Sequence, residues 1–222
     1  MAFLTCHTGS ASLGRSFCYN IIVPENSDGD IPAVLLLHGL SDDYTQWERM
    51  TPIERYANER GIAVIMPDGA RSFYTDMKYG DAYYSSIVRD VMRSARSLFP
   101  LSVKREKNFT AGLSMGGGGT AVYALHHPEL FGSACSMSGL LDMFPGRRSY
   151  DNAFQQSVAD NSPVALLRGM TAEQLDGVRS VRWWVDCGDD DFLWKCNVDF
   201  YTLMRERGIP LQYRMRDGGH TW

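Results

Sequence analysis

Ser114 stands in Gly112-Leu113-Ser114-Met115-Gly116, a GxSxG pattern. A serine hydroxyl attacks a carbonyl carbon only when a base takes its proton, and the base needs a carboxylate to orient it. The pattern alone is weak, since composition gives it by chance to roughly one chain in ten of this length. Its setting says more. Phe109–Leu113 reads as an apolar strand and Gly116–His127 as a helix closed by Pro128, so the serine falls on a sharp strand-to-helix turn. Side chains two residues either side would collide with neighbouring backbone, and glycine at both positions answers that. Gly117, Gly118 and Gly119 extend the close approach, and the helix aims its positive end at developing negative charge. A phosphate-cradling loop opens the same way, but no Lys-Ser/Thr follows the glycines and the GxGxxG register fails at Val122.

The candidate base is His220 in Asp217-Gly218-Gly219-His220-Thr221-Trp222, where two glycines let the loop turn the imidazole back toward Ser114. His126 and His127 suit a helix C-terminus, His7 an N-terminal strand, and His38 the anchoring of a turn. For the acid there are four candidates. Asp186 lies within a strand, while Asp189, Asp190 and Asp191 follow Gly188 in a loop, and spacing alone does not choose among them. A tetrahedral intermediate also needs two backbone N–H donors. Met115, after the nucleophile, offers one, and Leu40 in His38-Gly39-Leu40 offers the other.

These residues need a scaffold. Strands read at Arg15–Val23, 33–37, Ile62–Met66, Phe109–Leu113, Gly132–Ser138, Val181–Cys187 and Leu211–Met215; helices read at Trp47–Arg60, Ser85–Phe99, Gly116–His127 and Val198–Arg207. Such alternation predicts an α/β fold with a mainly parallel sheet covered on both faces, its active loops at the carboxyl ends of the strands. The order Ser114, aspartate, His220 is that of a nucleophile-elbow hydrolase. Glu25–Asp30 reads as a polar turn. Residues 140–180, with Pro145, Gly146, Pro163 and Gly169, read as an insertion near the active edge, a lid-like pocket wall or a plain surface excursion.

The 222 residues fit one domain, and 44% hydrophobic with 22% charged residues is the balance of a globular protein. A net charge of -4 offers no footprint for nucleic acid. The basic run Lys104-Arg105-Glu106-Lys107 reads as a solvated turn. Five widely spaced cysteines argue against a disulfide framework, and nothing has metal-ligand spacing. No apolar stretch is long enough for a membrane span, and no signal peptide is legible, so a cytoplasmic protein is expected.

Four motifs in register, His38-Gly39-Leu40 with Asp42 and Trp47, the Ser114 turn, Cys187-Gly188-x-x-Asp191-Phe192-Leu193 and Gly218-Gly219-His220-Thr221-Trp222, resemble the esterase D-like esterases of the α/β-hydrolase fold. Pro67-Asp68-Gly69-Ala70-Arg71-Ser72-Phe73-Tyr74 and Tyr79-Gly80 look most like small bacterial tributyrin esterases. The resemblance implies Asp191 as the acid, supports Leu40 and Met115 as oxyanion donors, and implies no cofactor and common self-association. It also implies a further helix after the histidine segment, which a chain stopping at Trp222 lacks. The expected activity is hydrolysis of short-chain acyl esters; feruloyl or acetylxylan esters and S-formylglutathione are alternative substrates, and a catalytically dead binding protein is the non-enzymatic alternative. Among the aromatics near the active edge, Trp47, Tyr74 and Trp194 are expected to contact substrate.

Overall fold

Leu35 and Leu36 are neighbours in the chain but belong to opposite cores. Leu35 packs with Ile87, Val91 and Met92, and Leu36 with Trp47, Ala57 and Val64. That is the signature of a strand buried on both faces. In the computed structural model, which describes residues 1–25, 29–142 and 153–222, eight strands form one sheet among the described residues.

The strands are β1 (Ala2–Ser10), β2 (Arg15–Val23), β3 (Ala33–Leu37), β4 (Ala63–Pro67), β5 (Asn108–Leu113), β6 (Ser133–Met137), β7 (Arg182–Gly188) and β8 (Leu211–Arg216). Their order is β1-β2-β4-β3-β5-β6-β7-β8. β1 and β2 pair antiparallel, as do β2 and β4, and the rest are parallel. The carboxyl ends of β3, β5 and β7 therefore open toward one edge, where the candidate residues lie.

Helices cover both faces. On one side lie α1 (Gln46–Met50) and α2 (Ile53–Arg60). On the other lie α3 (Tyr83–Ser85), a π-helical stretch Ser86–Val91, α4 (Met92–Leu98), α5 (Met115–His126), and, after α6 (Ala153–Asp160), α7 (Pro163–Gly169), α8 (Ala172–Arg179) and α9 (Trp194–Glu206).

Three helices differ from the sequence reading. The single helix expected over Trp47–Arg60 is two. Thr51 precedes Pro52, whose ring disfavours helical backbone before it, and Thr51 sits at φ −140°, ψ 159°. The helix expected over Ser85–Phe99 has a π-helical centre, where buried Asp90 accepts from Ser10 Oγ at 2.7 Å and the Ser12 N–H at 2.9 Å. The helix expected from Val198 begins at Trp194, because the Asp191 carbonyl accepts the Trp194 N–H at 2.9 Å and starts the turn early.

The 140–180 insertion is not a surface excursion throughout. Val164, Leu167, Leu175 and Val178 from α7 and α8 are buried with Trp183 and Phe200. Residues 143–152, with Pro145 and Gly146, lie outside the described residues, as do residues 26–28 of the expected polar turn. The basic run does form a turn before β5, and Lys104 and Lys107 both donate to Asp30 Oδ2, at 2.8 and 2.7 Å.

Candidate active site

β5 delivers Ser114 to the sheet edge and α5 carries the chain away, leaving Ser114 at φ 59°, ψ −117°. A non-glycine residue held there costs on the order of 1–3 kcal/mol, which the surrounding contacts must supply. They do so through the backbone. The Ser114 N–H donates to Met137 O at 2.9 Å, and Ser114 O accepts the N–H groups of Leu140 and Gly118 at 2.9 and 3.1 Å. The turn also presses on the end of β3: a Cβ on Gly116 would stand 2.3 Å from Leu37 O, which only glycine avoids.

His220 reaches this turn from the loop after β8. Its Nε2 lies 2.8 Å from Ser114 Oγ and its Nδ1 lies 2.8 Å from Asp191 Oδ2. A carboxylate only accepts, so Nδ1 carries the proton and Nε2 of the neutral ring is free to accept the serine hydroxyl proton. Asp191 is fully buried, and its other oxygen accepts the Leu193 N–H at 2.7 Å, which fixes the carboxylate plane. Phe192 packs its ring 4.6 Å from the imidazole.

The four aspartates that spacing left open differ in their surroundings. Asp186 accepts from Arg216 Nε at 3.0 Å. Asp189 Oδ1 accepts the Gly218 N–H at 3.2 Å, and Asp190 is exposed. Asp191 is the one that meets His220. Asp189, Asp190 and Asp217 also bring their carboxylates within 4.8 Å of one another at the surface, but exposed acids in water need no ion.

The loop after β3 passes beside Ser114, since a Cβ on Gly39 would stand 3.6 Å from Ser114 Cβ. His38 holds this loop. Its Nε2 accepts the Gly69 N–H at 2.8 Å, so its Nδ1 must carry the proton and donate to Gly39 O at 2.7 Å. Burial pushes its pKa down, and the ring stays neutral. Leu40 follows on the same loop, half-buried, and Met115 is the first residue of α5, where N–H groups lack intrahelical acceptors.

Two of the residues expected to contact substrate bond to the protein's own backbone. Tyr74 is fully buried and donates its hydroxyl to His38 O at 3.0 Å, so it braces the loop from within the core. Trp47 is 8% exposed and donates its Nε1–H to Leu37 O at 3.1 Å. It faces a cleft lined also by Leu113, Gly219 and Trp222, but not by Ser114 or His220. Trp194 is half-exposed at the start of α9. His127 Nδ1 meets Glu129 at 2.8 Å at the end of α5, and His7 is exposed in β1.

A small pocket adjoins the turn, lined by Met115, Gly118, Leu140, Phe73, Val158 and Ser162, among others. The sequence reading passed over Val158 and Ser162. Ser162-Pro163 is nonetheless a legible helix start, and Ser162 Oγ accepts the Ala165 N–H at 3.3 Å.

A strand-to-helix serine turn above the carboxyl ends of a mostly parallel sheet, followed in chain order by acid and histidine, defines the α/β hydrolases. Residues 10–222 match the family described as "Putative esterase", and the chain belongs to that family. It is a carboxylic ester hydrolase. The chain is 27% identical over 210 residues to an acetyl esterase of Caldicellulosiruptor saccharolyticus, covering 87% of this chain and 78% of that protein. It is 35% identical over 153 residues to the diacylglycerol acyltransferase/mycolyltransferase Ag85B of Mycobacterium avium, a match spanning 62% of this chain and 44% of that protein. Among solved structures, a ferulic acid esterase superposes with TM-score 0.90 at 29% identity, over 100% of this chain and 91% of that one. FphF, a fluorophosphonate-binding serine hydrolase of Staphylococcus aureus, gives 0.88 at 34%, over 99% and 92%. The S-formylglutathione hydrolase FrmB of the same organism gives 0.82 at 31%, over 99% and 92%. No helix among the described residues is long and apolar enough to cross a membrane.

Proposed function

We propose that the protein is a serine carboxylesterase that hydrolyses short-chain acyl esters through an acyl-enzyme, with Ser114 as nucleophile, His220 as base and Asp191 as acid. The observation that carries this is the continuous hydrogen-bonded path from Ser114 Oγ through His220 to buried Asp191. His220 Nε2 takes the serine proton as Oγ attacks the ester carbonyl carbon. The oxyanion that forms is held by the N–H groups of Leu40 and Met115. Protonated His220 then gives its proton to the departing alkoxide. Water, deprotonated by His220, attacks the acyl-enzyme and releases the carboxylate and Ser114.

The small pocket beside Met115, bounded by Phe73, Leu140 and Val158, favours a short acyl group. The acetyl esterase relative and the resemblance to tributyrin esterases agree with that size. A second reading, a feruloyl or other aryl ester, draws on the ferulic acid esterase neighbour and on half-exposed Trp194 as an aromatic contact. S-formylglutathione is a third, drawing on FrmB.

The test is intact-mass analysis after a fluorophosphonate probe, together with p-nitrophenyl butyrate hydrolysis. One adduct on Ser114 and measurable turnover are expected, both lost in Ser114→Ala. Absence of both in the unaltered protein overturns the mechanism. A panel of p-nitrophenyl acetate to octanoate, methyl ferulate and S-formylglutathione ranks the substrates.

A further inference from the structure

Trp47 touches both the end of the His220 segment and the end of β3. Trp47 sits on α1 with its ring edge-on to Trp222, centroids 4.8 Å apart and planes at 84°. The same ring donates its Nε1–H to Leu37 O, the last residue of β3 before His38-Gly39-Leu40. Trp222 is two residues beyond His220. One buried indole therefore touches the end of the histidine segment and the strand end from which the proposed oxyanion loop leaves.

The loop needs such a support. Gly218 stands at φ 133°, a backbone conformation open to glycine, and Asp217, Gly219, Thr221 and Trp222 are exposed. Hydrogen bonds hold its start, where the Asp190 N–H donates to Gly218 O at 3.1 Å and the Gly218 N–H to Asp189 Oδ1 at 3.2 Å, and the Thr221 N–H donates to Gly219 O at 3.1 Å. Beyond His220 the open cleft bounded by Trp47, Met137 and Trp222 lies along the loop. A ring contact at the end of the loop, tied to the end of β3, limits how far the imidazole can swing from Ser114. Small displacements matter here, because misplacement of a catalytic group by about 1 Å can cost on the order of a hundredfold in rate.

We infer that Trp47 is a positioning residue, which couples the histidine loop to the oxyanion loop through Trp222 and Leu37 and so sets kcat without touching substrate. This rests on the serine-esterase reading above.

The test compares Trp47→Ala, Trp47→Phe, Trp222→Ala and the double variant Trp47→Ala/Trp222→Ala. With p-nitrophenyl butyrate, kcat should fall about tenfold or more in Trp47→Ala and Trp222→Ala, with KM within about twofold. The double variant should be no worse than Trp47→Ala alone, since both remove one contact. Trp47→Phe keeps a ring and should recover part of kcat. The downfield proton resonance of the His220–Asp191 hydrogen bond should broaden or shift in Trp222→Ala, a readout independent of turnover. Trp222→Ala changes an exposed side chain and keeps the test valid if Trp47→Ala does not fold. An unchanged kcat and resonance in Trp222→Ala, multiplicative losses in the double variant, or a rise confined to KM overturns the inference. If the unaltered protein shows the resonance but neither adduct nor turnover, the function reading fails and the coupling is judged on the resonance.

Discussion

His38 accepts the Gly69 N–H on its Nε2 at 2.8 Å, and this bond links the loop after β3 to the turn after β4. It exists only while the ring is neutral, because a protonated imidazole has no acceptor. Burial lowers the folded pKa below the ordinary 6.5. Above that value folded and unfolded chains are both neutral. As pH falls below it, the unfolded chain takes up a proton that the folded chain refuses, so stability is lost between the unfolded and the lower folded pKa. In urea unfolding between about pH 7.5 and pH 5, the unaltered protein should lose more stability than His38→Gln, which accepts from Gly69 and does not titrate. Parallel curves for the two would refute this account.

Asp191→Asn should lower kcat/KM by about 10³ to 10⁴ with little change in fold. The amide can offer an N–H to Nδ1, which moves the ring proton to Nε2 and blocks acceptance from Ser114. Asp189→Asn and Asp190→Asn should stay within about twofold, since their carboxylates do not meet the imidazole. Steady-state kinetics on the three variants decide the matter. Equal losses would remove Asp191 from its special place.

Gly116→Ala should destabilise by about 4 kcal/mol or more, or prevent soluble expression, because its methyl would stand 2.3 Å from Leu37 O in backbone that cannot yield. Gly169→Ala, at the end of α7 with nothing within 4 Å, should be neutral or slightly stabilising. Chemical denaturation of both variants is the measurement.

Phe73 stands at φ 53° and lines the pocket beside Met115, so a strained backbone presents a large ring to the proposed acyl site. Phe73→Ala should lengthen the accepted acyl chain. The hexanoate-to-butyrate ratio of kcat/KM should rise about tenfold, the scale on which hydrophobic pockets sense a methylene or two. An unchanged ratio in a folded variant would exclude this pocket as the acyl site.

Burial, with Asp191 nearby, pushes the Cys187 thiol up to about 12, and all five cysteines are free. At pH 8 native Cys187 should resist iodoacetamide while half-buried Cys6 is labelled, and urea should expose both. Peptide mapping reads the result; rapid labelling of native Cys187 would contradict its buried environment.

Much of this architecture was written locally. The apolar run 33–37, the glycines around Ser114 and the Gly61 helix stop, at φ 63°, all appear where the sequence placed them. Strand and helix periodicity, and the turn that glycine permits, depend on near neighbours in the chain. Pro52 was a local signal passed over, and it divides α1 from α2.

By itself the sequence determined that a serine would stand at a strand-to-helix turn, with a histidine on a glycine loop after the last strand. Which aspartate meets that histidine was decided by tertiary structure, because β8 and the loop beyond it bring Arg216 to Asp186, Gly218 to Asp189 and His220 to Asp191. The same holds for Tyr74, an expected substrate contact that the fold buries against His38, and for Trp47, which the fold turns toward Trp222. Backbone conformation is set over a few residues, whereas the direction and partner of a side chain depend on elements that only folding brings together.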